Sequence, residues 1–555
     1  MRRSADVGSG GCPVTKNDVA LDADVIVVGA GMSGLYALKV FRDRGHRVIV
    51  LERAPAVGGT WYWNRYPGAR CDIPSLEYSF GFDPELEQEW NWTEHFAGQP
   101  EIERYLNHIA DRYDLRDDIR FETGVASMTF ENETDTWIVE TENGDRLRSR
   151  FCVMATGGLS APHRPDWPGL DTFVGELVQT SLWPEDGVAL EGRRVGIVGN
   201  GSSGVQVIPE LAKVAGHLTV FQRTAAFTWP SQNRPLTDAE QSEVKSRYRE
   251  LRAAQYASPL ATAHTTGAVI FTFADPDRRI LESTPDEREQ ALAEHGFSAS
   301  RIWGDAAKDM EANEMAVELF REMVRRTVDD PEVADSLCPK DYPLGCKRPV
   351  LDNGYFETFN RDNVTLVDLR KDAVVEVVAE GIVTESGLKE LDVLVLATGF
   401  DAVSGALTRI DIHGADGALL RDAWAEGPRT FMGFASSNYP NMFMVIGPGS
   451  VGVLATYPPH IELQVGWIAD LLDHMSLTGS TRAEVEADAQ ESWCAEVEAA
   501  ATGSMFTAPN CHSWYNGGNI AGKARTLPIY LGGLDRFMAR AREVAANDYE
   551  GFTIS

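Results

Sequence analysis

The chain has 555 residues, 43% hydrophobic and 24% charged, a composition typical of folded globular proteins at a length that calls for two or three domains. Its formal net charge of −32 is repelled by phosphate backbones and anionic bilayers, so nucleic acid and membrane surfaces are excluded as main partners. Seven scattered cysteines without a CxxC pair argue against a disulfide framework, a zinc site or a redox-active dithiol, and they fit a reducing cytoplasm.

Residues 1–21 carry two arginines but no apolar h-region, so they read as a disordered lead-in. No run approaches the ~18–20 apolar residues of a bilayer span, and a soluble protein is expected. Four short apolar runs then end in glycine: "DVIVVGAGMSG" (24–34), "FCVMATGG" (151–158), "RVGIVGNGSSG" (194–204) and "DVLVLATGF" (392–400). Such runs predict buried parallel strands, and the helical patterns after the first and third complete a βαβ grammar used twice. The interval 236–345 is charge-rich, glycine-poor and dense in helix formers, which predicts a helical insertion. The expected fold is α/β, with two dinucleotide-binding, Rossmann-like domains. The first covers 22–160 and resumes at 395–555 with the C-terminal region; the second covers 161–394 and contains the insertion.

Gly29, Gly31 and Gly34, with Ser33 in the same turn, fit G-x-G-x-x-G between a strand and a helix. Glycines there let backbone N–H groups approach a pyrophosphate, and Glu52, about 20 residues on, is where an acid accepts ribose hydroxyls. Gly199, Gly201 and Gly204, with Asn200, Ser202 and Ser203, repeat the arrangement. The strand after this copy ends in Arg223, whose guanidinium would clamp a 2′-phosphate that a carboxylate would repel. The second site is therefore expected to take NADPH and the first a nucleotide without that phosphate. Together they imply electron transfer between a flavin and a nicotinamide. Eleven histidines show no HxH, HxxxH or HExxH spacing, so no metal is assigned.

"GGTWYWNRYPGARCD" (58–72), the stretch from Phe173 to Pro184, "ATGFD" (397–401) and "SWYNGG" (513–518) together resemble the Baeyer–Villiger monooxygenases. The likeness is closer to their phenylacetone and steroid monooxygenase branch and runs on to "YEGF" at 549–552. It implies FAD and NADPH as cofactors, with O2 and a small-molecule ketone as reactants. One oxygen would be inserted beside the carbonyl, through a C4a-peroxyflavin, to give an ester or lactone. The family signature F-x-G-x-x-x-H-x-x-x-W-P is met by Phe173, Gly175, Trp183 and Pro184, with Gln179 in the histidine slot. Glutamine keeps a donor and an acceptor without a charge, so this joint between the domains is expected to survive, with domain coupling or its pH response altered at most.

The resemblance implies Arg348 as the fixed cation of the oxygenation site and Asp72 as its partner. For FAD it implies Gly29, Gly31, Ser33, Gly34, Glu52, Thr60, Trp61, Asp72, Ile73, Tyr78, Val125 and Tyr457. For NADPH it implies Arg70, Cys71, Asp72, Asn200, Gly201, Ser202, Ser203, Gly204, Gln206, Arg223, Thr224, Lys347, Arg348 and Trp514. Leu454 and Tyr457 would line the ketone pocket. Without the resemblance, Lys347–Arg348 reads as a solvated dibasic loop and Asp72 as a turn or capping aspartate. Trp90 and Trp92 are expected to be packing residues. Oxygenation at sulfur or nitrogen, an NADPH oxidase that leaks peroxide, and a flavin-bound sensor without catalysis stay open as alternatives.

Overall fold

The structure is a computed structural model that describes residues 19–263 and 277–555. Most of the expected lead-in (1–18) and the 264–276 portion of the helical insertion lie outside the described residues. The first glycine-ended run forms strand β1 (Ala23–Val28) and turns into helix α1 (Met32–Asp43). β1 lies between two parallel neighbours, β2 (Val48–Leu51) and β3 (Arg146–Met154), with Val25 opposite both Val48 and Phe151. Chains of Val and Ile with both faces apolar have to be covered on both sides. One cover is α1, which buries Leu35, Leu38 and Phe41.

The second unit is a five-stranded sheet in which every pairing is parallel. Its members are β4 (Glu176–Gln179), β5 (Arg194–Val198), β6 (His217–Gln222), β7 (Val364–Asp368) and β8 (Val393–Leu396), in the spatial order β7-β6-β5-β8-β4. Helix α2 (Ser202–Val214) follows β5 as α1 follows β1. After β8 the chain returns to the first sheet, where Met442–Met444 pairs with β3 and Asp411–His413 with Val125–Glu131. The expectation of an α/β fold with two Rossmann-like units holds.

The insertion is helical over its described part, including Asp238–Ser246, Tyr248–Ala257, Pro285–His295 and α3 (Met310–Thr327). Thr237 with Glu240, and Thr284 with Glu287, form capping boxes that satisfy free N–H groups at two helix starts. Phe320 on α3 packs its ring against Phe227, Phe297 and Phe356, fastening this helix to the second unit. Tyr248–Ala257 leans the other way: Arg252 Nε lies 2.7 Å from Glu87 of the first unit. Trp90 and Trp92 pack on each other and on Tyr105, as expected.

One expectation fails. The scattered spacing argues against a disulfide framework, yet Cys346 and Cys511 are bonded, both fully buried and separated by 165 residues in sequence. Spacing could not reveal this pair, because the fold brings the loop after α3 against the C-terminal segment.

Candidate active site

Asp72 and Arg348 meet although 276 residues separate them. Arg348 Nε and Nη2 donate to the two Asp72 oxygens at 2.5 and 2.8 Å, and Nη1 donates to Val453 O at 3.2 Å. The Tyr515 hydroxyl is hydrogen-bonded to the same guanidinium. Burial works against the arginine charge, but the Asp72 carboxylate and Tyr515 outweigh it, and the net proton affinity is raised. A bidentate, part-buried pair of this kind fixes both the position and the charge of the arginine. Half-buried Tyr457 opens helix α4 (Tyr457–Thr478); desolvation pushes its hydroxyl up to about 12 against the pull of Arg348, so it stays a donor. Leu454 sits one short turn earlier, at Gly452–Leu454.

The first glycine turn is built backbone on backbone. A Cβ on Gly34 would stand 1.8 Å from Gly29 O, and one on Gly29 (φ +105°) 2.7 Å from Ala155 O. Glu52 is buried under this turn, its oxygens accepting from Ala30 N at 2.6 Å and Ala54 N at 2.7 Å. Burial raises its pKa. Trp61, Ile73, Tyr78, Leu454 and Tyr457 pack against one core cluster, and Trp61 Nε1 donates to Tyr78 Oη at 3.2 Å. Thr60 begins the one-turn helix Thr60–Trp63 beside Gly59, which faces Gly31. Val125 is buried in a different cluster, with Ile26 and Leu51.

At the second turn a Cβ on Gly201 would meet nothing within 4 Å, which leaves an open face at the start of α2. Asn200 Nδ2 donates to Gln222 Oε1 at 2.8 Å, and Gln206 Nε2 donates to Arg70 O at 3.0 Å. Arg70 itself is ion-paired with Glu94. Exposed Arg223 borders a cleft with Lys340, Arg370 and Lys371, opposed by Asp335 and Asp368. Lys347 lies over the Tyr342 ring at 4.4 Å; burial first, then the charges of Arg223 and Arg370, pull its pKa down to about 8. Trp514 packs on Tyr515 with ring centroids 4.2 Å apart.

Sequence reasoning missed Tyr515, Lys340, Arg370 and Lys371. The last two carried a signal: "LRKD" (369–372) follows the third strand of the second βαβ unit, at the same end of the sheet as Arg223. Gln179 ends β4, and its Nε2 donates to His163 O at 3.0 Å, on the segment that crosses from one sheet to the other.

A family model described as pyridine nucleotide-disulphide oxidoreductase matches residues 26–270. The chain is 39% identical to a cyclohexanone 1,2-monooxygenase of Acinetobacter sp, covering 96% of this chain and 97% of that protein. It is 38% identical to a phenazine N-monooxygenase of Lysobacter antibioticus, with the same coverage of both. Among solved structures, oxidised steroid monooxygenase bound to NADP superposes with a TM-score of 0.87 at 44% identity, covering 96% of this chain and 99% of that one. Likeness of this depth over almost the full length, on a fold with two nucleotide turns and a part-buried Arg348–Asp72 pair, makes the chain a member of the Baeyer–Villiger monooxygenases.

Proposed function

We propose that Arg348, set by Asp72, is the residue on which oxygenation depends in this chain, and that Tyr457 and Leu454 shape the ketone pocket beside it. The enzyme is an FAD- and NADPH-dependent monooxygenase that inserts one oxygen of O2 next to a ketone carbonyl, giving an ester or lactone. The residues present fit both cofactors. Gly31 and Gly59 stand backbone against backbone, buried Glu52 holds the turn through Ala30 N, no side chain would crowd the open face at Gly201, and Arg223 after the next strand lines a cleft with Lys340, Arg370 and Lys371. Bound FAD supplies the centre that activates O2, and NADPH supplies the hydride that reduces it.

The chain's own part is positional and electrostatic. The turn at Gly29–Gly34 and the helix start behind it would hold the FAD pyrophosphate, with Glu52 ordering the ribose end. Arg223, Thr224 and Lys347 would hold the NADPH 2′-phosphate, and Trp514, Arg70, Cys71 and Gln206 the nicotinamide half. Arg348 cannot lose its proton here, so negative charge that develops on oxygen is stabilised without being quenched. Tyr457 keeps its proton to about pH 12 and can donate to the ketone oxygen. On the segment that carries Trp514, Tyr515 is hydrogen-bonded to the guanidinium and packs its ring on Trp514.

The carrying observation is the bidentate Asp72–Arg348 pair. Arg348→Ala is expected to bind FAD and still to be reduced by NADPH, yet to form no ester. Ester formation at the parental rate would remove Arg348 from the reaction. One relative is named for N-oxygenation, so a ketone, a sulfide and an aromatic amine should be compared side by side. Dominant turnover of the amine would overturn the ketone assignment.

A further inference from the structure

Cys346 stands two residues before Arg348 and Cys511 four before Tyr515, so their bridge joins the two loops whose side chains meet at the guanidinium. The loops are anchored unequally. On the Cys346 side, Leu344 N donates to Asn313 Oδ1 at 3.0 Å and Asn313 Nδ2 donates to Leu344 O at 2.9 Å, tying the loop to α3. On the Cys511 side the chain runs from Thr502 to Gly533 with only two short 3-10 turns, Met505–Thr507 and Trp514–Asn516. Asn516 Nδ2 and Arg525 Nη2 both donate to Cys511 O, at 2.8 and 2.9 Å, so whatever fixes Cys511 also fixes the chain that follows it, Trp514 and Tyr515 included. Further along, Asn519 Nδ2 donates to Phe400 O at 2.9 Å and Lys523 pairs with Asp401.

We propose that Cys346 and Cys511 are positioning residues joined by a reversible bridge, which fastens the Trp514–Tyr515 loop against Arg348 and sets how tightly NADPH and NADP+ are held. The inference rests on the roles given to Arg348 and Trp514 above. Opening takes two electrons and two protons from a dithiol: the S–S bond breaks, two thiols form, and the reductant leaves as its cyclic disulfide. Closing gives two electrons and two protons from the thiols to hydrogen peroxide, which leaves as two waters. In an NADPH-supplied, reducing compartment such a bridge acts as a sensor rather than a permanent strut. Both sulfurs are fully buried, so exchange requires the Cys511 loop to lift. With the bridge open, the Asp72–Arg348 pair keeps its own bidentate contact, while Trp514 and Tyr515 gain freedom. The affected quantity is therefore nicotinamide binding rather than the chemical step.

The test uses the full-length holoenzyme, divided into a sample treated with hydrogen peroxide and one treated with dithiothreitol. Each is alkylated, digested and mapped by mass spectrometry. The oxidised sample should contain one cross-linked peptide pair, Cys346 with Cys511, and the reduced sample none. Proteolytic cutting within 502–533 should be about fivefold faster in the reduced form, as expected when a loop loses a tether. The KM for NADPH should be about threefold or more higher in the reduced form, with kcat within about twofold. Cys511→Ser should show the reduced-form values under both treatments, and the redox comparison on the unaltered chain needs no variant to fold. Absence of the cross-linked pair after oxidation, or equal KM and equal cutting in the two samples, would overturn the proposal. Mapping and proteolysis do not depend on the role of Arg348, so a failure of that assignment shows separately, as ester formed by Arg348→Ala.

Discussion

Lys347 and Arg348 are neighbours in sequence with opposite electrostatic surroundings. Arg348 faces a carboxylate and is locked as a cation, whereas Lys347 is desolvated and feels Arg223 and Arg370, so its pKa falls to about 8. In the free protein its charge is present below that value and fades as pH rises through it. An anion bound there favours the protonated form, so binding draws in a proton between about 8 and the ordinary lysine value. The Kd of NADP+ is therefore expected to be flat at lower pH and to weaken above ~8, by at most about tenfold per pH unit. Fluorescence titration across that range checks the profile, and Lys347→Met should weaken binding at low pH and remove the bend. A bend that survives in the variant would assign it to another group. Arg370, whose charge reaches Lys347, lines the cleft that Arg223 borders, and for Arg370→Gln a loss of affinity for NADP+ with none for NAD+ would place this arginine among the groups that read the 2′-phosphate.

At the scale of elements, the signature segment is held by steric packing and by the glutamine that stands in its histidine slot. Phe173 folds its ring over Gly175, where a Cβ would come within 2.4 Å of the ring and 2.6 Å of Asp392 O, so the small residue is steric rather than catalytic. Gln179 closes β4 opposite Leu396, and its amide donates to His163 O, a carbonyl that also accepts from Thr398 Oγ1 at 2.5 Å. A histidine at 179 offers a ring N–H to the same carbonyl, and both side chains thereby hold the crossing segment. Gln179→His is expected to leave stability within about 0.5 kcal/mol, and Gln179→Leu to cost about 1 kcal/mol by losing the donor. Denaturant unfolding of the two variants decides this, and a large loss with histidine would mean that the slot demands the amide. The strands, turns and helical insertion were legible because apolar runs and glycines are local signals. The partner of Gln179 was not, because a backbone carbonyl leaves no mark in a sequence. Nor could helical periodicity say that Tyr248–Ala257 would lean on the first unit while α3 leans on the second.

At the scale of the whole molecule, long-range pairs tie the two units together, and they differ in how they could be read. Asp72 and Arg348 were expected together because motif resemblance carried both ends. Cys346 with Cys511, and Glu87 with Arg252, have no such motif, and the fold alone unites them. The last pair joins the insertion to the first unit. Arg252 also donates to Gln255 Oε1 at 2.6 Å and to Ser79 Oγ at 2.8 Å, so the guanidinium is spent entirely on buried acceptors. Glu87 has its pKa raised by burial, and Arg252 holds it back from rising further. Removing the arginine leaves a buried carboxylate that must either stay charged without its partner or take up a proton. Arg252→Met is expected to lose about 3–5 kcal/mol near neutral pH, the cost of breaking a buried pair from one side. The sign with pH follows. A carboxylate whose folded pKa is raised destabilises the fold above its unfolded value, so the loss should shrink as pH falls toward ~5 and Glu87 takes up its proton. Adding Glu87→Leu should recover most of the lost stability, because two apolar side chains replace the pair. Thermal unfolding of the two single variants and the double variant at about pH 5 and about pH 8, roughly two units below and one above neutrality, measures both effects. Equal melting of Arg252→Met and the parent at the higher pH would show that the insertion does not lean on this pair.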